Sequence, residues 1–200
     1  MKAVVHRIPE AWLEERRRLG HDRYDEMWEG VLYVHPMPSN PHQDLRDDLL
    51  GELEALAREG KVPGRWRTER NLAKPGGWPG DFRIPDLIYL GPQAACQDAG
   101  SHYDGPPDVV VEIAGEGDTS REKLPWYAEL GVPEVWILDL KARQPEVLVR
   151  SGATYLKQRP DAEGWFASEQ FPVELRQGDE HGRPVLELRA PGTSQARIAL

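Results

Sequence analysis

Cysteine and long apolar runs are the two things that this 200-residue sequence most clearly lacks. A single cysteine, Cys96, excludes a disulfide framework and a cysteine-built zinc site, and it is typical of a reducing compartment. The longest apolar runs, at 109–111 and 135–138, have three or four members, whereas a membrane-spanning helix requires about 18. The first twenty residues also lack the apolar core of a signal peptide. We therefore expect a cytoplasmic protein with no membrane segment.

Positive charge is also in deficit, since 34 acidic residues face 25 basic ones and the formal net charge is −9. This balance argues against a broad electrostatic attraction to nucleic acid, so any such contact needs a local basic patch or bound cations. Segment 61–74 supplies five basic residues against one acid: Lys61, Arg65, Arg67, Arg70 and Lys74. The segment fits a surface that contacts nucleic-acid backbone, and it equally fits a solvated edge strand protected by charge.

Apolar periodicity and turn residues predict a mixed α/β fold. Helices are predicted over 9–19, 40–60 and 119–130, with Asn40 as the cap of the second helix and Pro125 either bending the third or marking its start. A hairpin is predicted over 24–35, and strands over 66–72, 84–90, 108–114 and 134–139. Short alternating segments beyond Pro145 predict a β-rich C-terminal extension. The order of elements implies a mixed sheet core with helices packed against it.

Two acidic residues interrupt the predicted strands, Asp86 in 84–90 and Glu112 in 108–114. A buried carboxylate is costly unless it is paired or binds a cation. In a structural role, Asp86 would cap a turn after Pro85 and Glu112 would pair with an arginine. In a functional role, the two carboxylates would share one face of neighbouring strands, about 4.8 Å apart, and bind a hard cation beside Lys123.

These residues resemble a known family when they are taken with motifs further upstream. Residues 84–86 read IPD, residues 109–113 read VVVEI, and Lys123 precedes GVPEVWILD at 131–139. Upstream, Tyr24, Glu26, Gly30 and Leu32 fit the pattern Y-x-E-x-x-x-G-x-L, and 36–43 reads PMPSNPHQ. In this order the motifs resemble the PD-(D/E)XK nuclease superfamily, in its bacterial branch of restriction-endonuclease-like proteins.

The resemblance implies a restriction-endonuclease-like mixed β-sheet core over 20–150 and a β-rich C-terminal extension over 151–200, within a single domain spanning 1–200. It implies that Asp86, Glu112 and the carbonyl of Ile113 bind Mg²⁺ or Mn²⁺, and that Glu26 is an accessory acid. The superfamily's usual lysine position, two residues after the glutamate, is Ala114 in this chain. Lys123 is therefore expected to reach the site from the following helix as the catalytic lysine.

The sequence thus predicts a divalent-metal-dependent endonuclease that hydrolyses phosphodiester bonds of nucleic acid, with DNA as the expected substrate. One alternative is a catalytically degenerate module that binds nucleic acid or protein with the same fold, and another is a structural or oligomerising protein whose buried acids only form ion pairs. His42 can assist at the site or simply cap and pack. Seven tryptophans and short strands with open edges predict a homodimer.

Overall fold

Three α-helices and one short 3₁₀ helix form the helical part of the residues that the computed structural model describes, namely 3–5, 9–115, 117–191 and 195–198. They are α1 Glu10–Leu19, α2 Asn40–Glu59, the 3₁₀ helix Ser120–Lys123 and α3 Leu124–Leu130. The predicted third helix therefore divides, and Pro125 marks the start of its α-helical part, where a missing N–H costs nothing. The cap of α2 is Ser39 and not Asn40, because Asn40 already has helical geometry.

Strands make up most of the remaining secondary structure. In chain order they are β1 Ala3–Val5, β2 Glu26–Trp28, β3 Val31–Val34, β4 Arg65–Thr68, β5 Leu72–Ala73, β6 Phe82–Arg83, β7 Leu87–Leu90, β8 Gln97–Asp98, β9 Tyr103–Asp104, β10 Val109–Ala114, β11 Glu134–Asp139, β12 Pro145–Ser151, β13 Thr154–Lys157, β14 Phe166–Ala167, β15 Glu174–Glu180, β16 Arg183–Arg189 and β17 Ala196–Ile198. The described strands form three sheets.

The central sheet has six described strands in the order β13-β12-β11-β10-β7-β4. Only β10 and β11 run parallel, and both are almost wholly apolar because the sheet is covered on both faces at this point. On one face, Leu45, Leu49, Leu53 and Leu56 of α2 pack in a cluster with Val109 and Val111. On the other face, Tyr127 and Leu130 of α3 pack in a cluster with Val110 and Val135. The predicted mixed sheet flanked by helices is confirmed.

A second sheet of short strands, in the order β1-β3-β2-β6-β5-β9-β8, includes the predicted hairpin. Of two strands that the sequence predicts as continuous, one divides between these sheets and the other starts late. Segment 66–72 breaks at Glu69, whose φ of +48° turns the chain from β4 into β5. Segment 84–90 starts late because Pro85 cannot donate to a strand ladder, so residues 84–86 lie between β6 and β7.

The C-terminal part is β-rich, as predicted, and β14-β15-β16-β17 form a four-stranded antiparallel sheet. The apolar residues Leu175, Leu186 and Leu188 of this sheet join the core beside α2. The segments that directly follow Pro145 belong elsewhere, since β12 and β13 extend the central sheet beyond β11. The buried side chains Val147 and Leu148 of β12 explain this placement, because they complete the core over that edge of β11.

Candidate active site

A cleft of about 680 Å³ opens where the central sheet meets the β2–β3 hairpin and the 3₁₀ helix. Every residue that the sequence singles out as a site residue lines this cleft: Glu26, Asp86, Glu112, Ile113 and Lys123. They come from four separate segments of the chain. The structure therefore brings the complete set together.

The strand register explains why Asp86 and Glu112 meet. Strands β7 and β10 are antiparallel, with Val111 opposite Leu87, so the next opposed positions along the two chains are Glu112 and Asp86. Opposed residues of neighbouring strands project from the same face of a sheet. The backbone N–H of Ile113 donates a 2.6 Å hydrogen bond to Oδ2 of Asp86, which fixes that carboxylate against the end of β10.

Lys123 lies at the end of the 3₁₀ helix, and its ammonium group is buried between two carboxylates. Its Nζ lies 2.8 Å from Oε1 of Glu26 and 3.1 Å from Oε1 of Glu112. Burial alone would lower the pKa of Lys123, but the two negative charges outweigh burial and raise it. Lys123 therefore stays protonated at any physiological pH.

Glu26 is almost fully buried, and the polar groups around it are already engaged. Its Oε1 accepts a 2.8 Å hydrogen bond from the backbone N–H of Ile84, and its Oε2 accepts one of 2.7 Å from the indole of Trp28. Burial would raise the pKa of Glu26, yet the charge of Lys123 and the contact with His35 hold it well below its usual value. Glu26 is a permanent anion in the folded protein.

The pKa of Glu112 shifts in the opposite direction from that of Glu26. Its Oε1 accepts a 2.5 Å hydrogen bond from the hydroxyl of Tyr127, and its Oε2 lies 3.4 Å from Oγ of Ser120. Burial raises the pKa of Glu112 to about 8, against the charge of Lys123 and with help from the charges of Asp86 and Glu26. Glu112 therefore retains its proton at neutral pH in the metal-free folded protein.

Two residues that contact the site acids, Tyr127 and His42, are ones that the sequence either does not single out or leaves open. Tyr127 lies four residues after Lys123, one helical turn along the same face, so that spacing could have identified it. His42 lies in the first turn of α2, and its Nε2 is 3.3 Å from Oδ1 of Asp86. Burial lowers the pKa of His42, but the contact with Asp86 outweighs burial and raises it. His42 therefore contacts a predicted site residue directly.

The purely structural roles considered for the two acids, a turn cap for Asp86 and an arginine partner for Glu112, agree only in part with their contacts. The buried partner of Glu112 is Lys123 and not an arginine. Asp86 accepts a backbone hydrogen bond, as a turn-capping acid would, but its donor belongs to the neighbouring strand β10. In segment 61–74, Arg65–Thr68 forms the terminal strand of the described central sheet, and Trp66 is buried in the core.

The donor atoms of the cleft suit a hard divalent cation, although no group of three His, Cys, Asp or Glu side chains among the described residues is arranged as a metal site. Mg²⁺ is commonly bound by one or two carboxylates, with water completing its shell. Asp86 and Glu112 provide two carboxylates on one face, beside the backbone of Ile113. The residues present therefore fit such a cation.

The mixed sheet, its flanking helices and this cleft define a restriction-endonuclease-like α/β protein. Residues 7–180 match the model of the Uma2 family, described as "Putative restriction endonuclease", and the chain belongs to that family. No match was found among curated proteins. In the part of the chain that the structure describes, no helix is both long and apolar enough to cross a membrane.

A solved structure supports the fold. The chain is similar to a crystal structure from Anabaena variabilis described as a "putative nuclease belonging to DUF820", with a TM-score of 0.52 and 16% sequence identity. The similarity covers 69% of this chain and 78% of the other. At this identity, the likeness concerns the fold alone.

Proposed function

We propose that the protein is a divalent-metal-dependent endonuclease that hydrolyses phosphodiester bonds of nucleic acid, with DNA as the first substrate to test. The observation that carries this proposal is the position of Lys123. Its ammonium lies 3.1 Å from Glu112 in the cleft that also contains Asp86. The family's usual lysine position is Ala114 in this chain, and Lys123 from another segment would supply the missing ammonium group.

Asp86 and Glu112 would hold Mg²⁺ or Mn²⁺, and the carbonyl of Ile113 would be a third ligand. Along β10, alternate residues direct their backbone groups to opposite neighbours. The N–H of Ile113 points toward Asp86, so its carbonyl faces the same side, beyond the first residue of β7. When bound, the cation lowers the pKa of a bound water and stabilises charge on a phosphoryl oxygen.

Lys123 would stabilise charge and orient the attacking water, since an ammonium that stays protonated cannot act as a base. Glu26 would act through Lys123 as a positioning residue, because its oxygens already accept bonds from Lys123, Ile84 and Trp28. This role refines the accessory acid that the sequence predicts. In the reaction, water oxygen forms a bond to phosphorus, one ester P–O bond breaks, and the leaving alcohol takes up a proton.

A nuclease assay on single- and double-stranded DNA and RNA, with Mg²⁺ and with Mn²⁺, tests this function. We expect cleavage by the wild type and a loss of at least about 100-fold in Asp86→Asn and in Lys123→Met, the scale of removing one strong electrostatic contact. Asp48→Asn, an exposed residue of α2, is the matched control and should cleave at the wild-type rate. Equal rates in Asp86→Asn and the wild type would overturn the assignment.

The degenerate binding module remains the second candidate, and one observation favours it. Lys123, Glu26 and Glu112 already pair with one another, so this network is internally satisfied without substrate. That candidate predicts binding of nucleic acid or protein without cleavage in either metal. Cleavage that depends on Asp86 would exclude it.

A further inference from the structure

Segment 61–70, which contains the terminal strand β4, carries positive charge without a carboxylate partner close by. Among the described residues, no carboxylate oxygen lies within 4.0 Å of Lys61, Arg65, Arg67 or Arg70, whereas Lys74 pairs with Glu129 at 2.7 Å. In a chain of net charge −9, these four cations form a local basic patch, and such a patch favours an external anion.

The register of the central sheet places part of this charge on the face of the candidate active site. Arg67 is opposite Ile88 of β7, and Ile88 is opposite Val110 of β10. Asp86 lies two residues from Ile88, and Glu112 lies two residues from Val110. Arg67, Asp86 and Glu112 therefore share one face of the sheet. The Cα of Arg67 is therefore about one strand spacing across, and about 7 Å along the sheet, from that of Asp86.

A polar depression of about 260 Å³ lies beside the cleft and shares Glu69 with it. Arg67 and Arg70 line it together with Asn71, Ser101 and His102, and Glu69 lines both the depression and the cleft. The carboxylate of Glu69 is neutralised by ion pairs with Arg46 and Arg23. The other acid of the depression, Asp98, accepts a hydrogen bond from the N–H of Gly100.

We propose that Arg67 and Arg70 hold backbone phosphates of nucleic acid next to the phosphate that reaches Asp86 and Glu112, so that the substrate lies along β4. We call these two arginines and the depression the phosphate track. The inference rests on the proposed function for the identity of its ligand, because a polyanion that passes the cleft is what a phosphodiesterase binds. Phosphate contacts fix the register of a nucleic acid without reading its sequence.

Binding is measured in EDTA, where the proposed cleavage is blocked, with short fluorescent single-stranded DNA, duplex DNA and RNA. We expect Arg67→Gln/Arg70→Gln to weaken binding at least tenfold at low salt. Each lost phosphate contact lowers the slope of log K against log salt by about 0.9 on duplex DNA, so the double variant should lower it by about 2. The nucleic acid that shows this change identifies the preferred backbone.

Arg159→Gln/Arg183→Gln is the matched control, since it removes the same charge from two exposed arginines without a carboxylate partner among the described residues. It should bind like the wild type. Equal effects of the two double variants would show that only net charge matters and would overturn the phosphate track, as would a wild type that binds no nucleic acid. A wild type that binds through Arg67 and Arg70 but never cleaves would support the track and reject the nuclease.

Discussion

At the scale of single residues, the cleft is defined by an imbalance of charge. Glu26, Asp86 and Glu112 contribute three carboxyl groups, and the ammonium of Lys123 contacts Glu26 and Glu112. Glu26 keeps its charge. Burial, with help from the charges of Asp86 and Glu26, makes Glu112 hold its proton up to a pH of about 8. A divalent cation would relieve the same repulsion, which is why a proton and a metal are expected to compete for this carboxylate.

The raised pKa of Glu112 predicts that the metal-free protein loses stability as the pH rises. Above pH 4.5 the unfolded chain releases the proton of Glu112, while the folded protein retains it up to a pH of about 8. The folded state then binds more protons, so the free energy of unfolding falls as the pH rises through this window. The raised pKa of His42 acts in the same direction above its ordinary value of 6.5. Glu112→Gln should therefore show a shallower decline in the free energy of unfolding, which retains the contributions of the other raised pKa values, namely those of His42, Glu134 and Asp25.

Melting temperatures of both proteins in EDTA, from about pH 5 to pH 8, test this prediction. A wild-type melting temperature that changes with pH no more steeply than that of Glu112→Gln would contradict it. The groups that face Glu112 are Asp86, Glu26, Lys123, Tyr127 and Ser120. Of the ionisable ones among them, Glu26 has a lowered pKa and Lys123 and Tyr127 have raised ones, so these three titrate outside the window.

At the scale of elements, the sequence predicts best where burial dominates. The strands Val109–Ala114 and Glu134–Asp139 and the helix Asn40–Glu59 lie within one or two residues of their predicted bounds, because their apolar pattern is continuous. The predictions fail where the backbone changes sheet. Glu69 takes a positive φ that its residue type does not signal, and it divides one predicted strand into two.

In the candidate site too, some residues could be predicted from the sequence and others could not. Asp86 and Glu112 stand out in the sequence because charge is rare in apolar strands. Lys123 stands out as a lysine that follows the two acids at the start of the next helix, whereas Glu26 came from the family resemblance alone, since no local pattern links residues 97 positions apart, as 26 and 123 are. The contact between His42 and Asp86 depends on how α2 packs over the sheet, which sequence periodicity describes only as a buried face.

At the scale of the whole molecule, self-association remains a prediction. Four of the seven tryptophans are buried, so they give less support to an interface than the sequence suggests. The described central sheet instead ends at β13, where Leu156 is 61% exposed. An unpaired strand edge with an exposed leucine favours pairing with a second copy.

Sedimentation at tens of micromolar should give twice the 22.7 kDa of one chain. Leu156→Glu should shift the protein toward the monomer, because a charge on the edge opposes strand pairing. Leu19→Glu, which changes another exposed leucine at the end of α1, should leave the mass unchanged. A wild type that sediments only as a monomer rejects the homodimer.

The central claim is that the cleft binds a divalent cation through Asp86 and Glu112, and calorimetric titration with Mn²⁺ and Mg²⁺ tests it most directly. We expect heat of binding in the wild type and none in Asp86→Asn. Tyr127→Phe removes the hydroxyl that orients Glu112 and should weaken binding by about tenfold or more, the usual effect of losing such a contact. Tyr155→Phe, whose hydroxyl contacts the carbonyl of Val132 instead, should bind like the wild type. A wild type that binds neither metal, or an Asp86→Asn variant that binds as tightly as the wild type, would contradict the account.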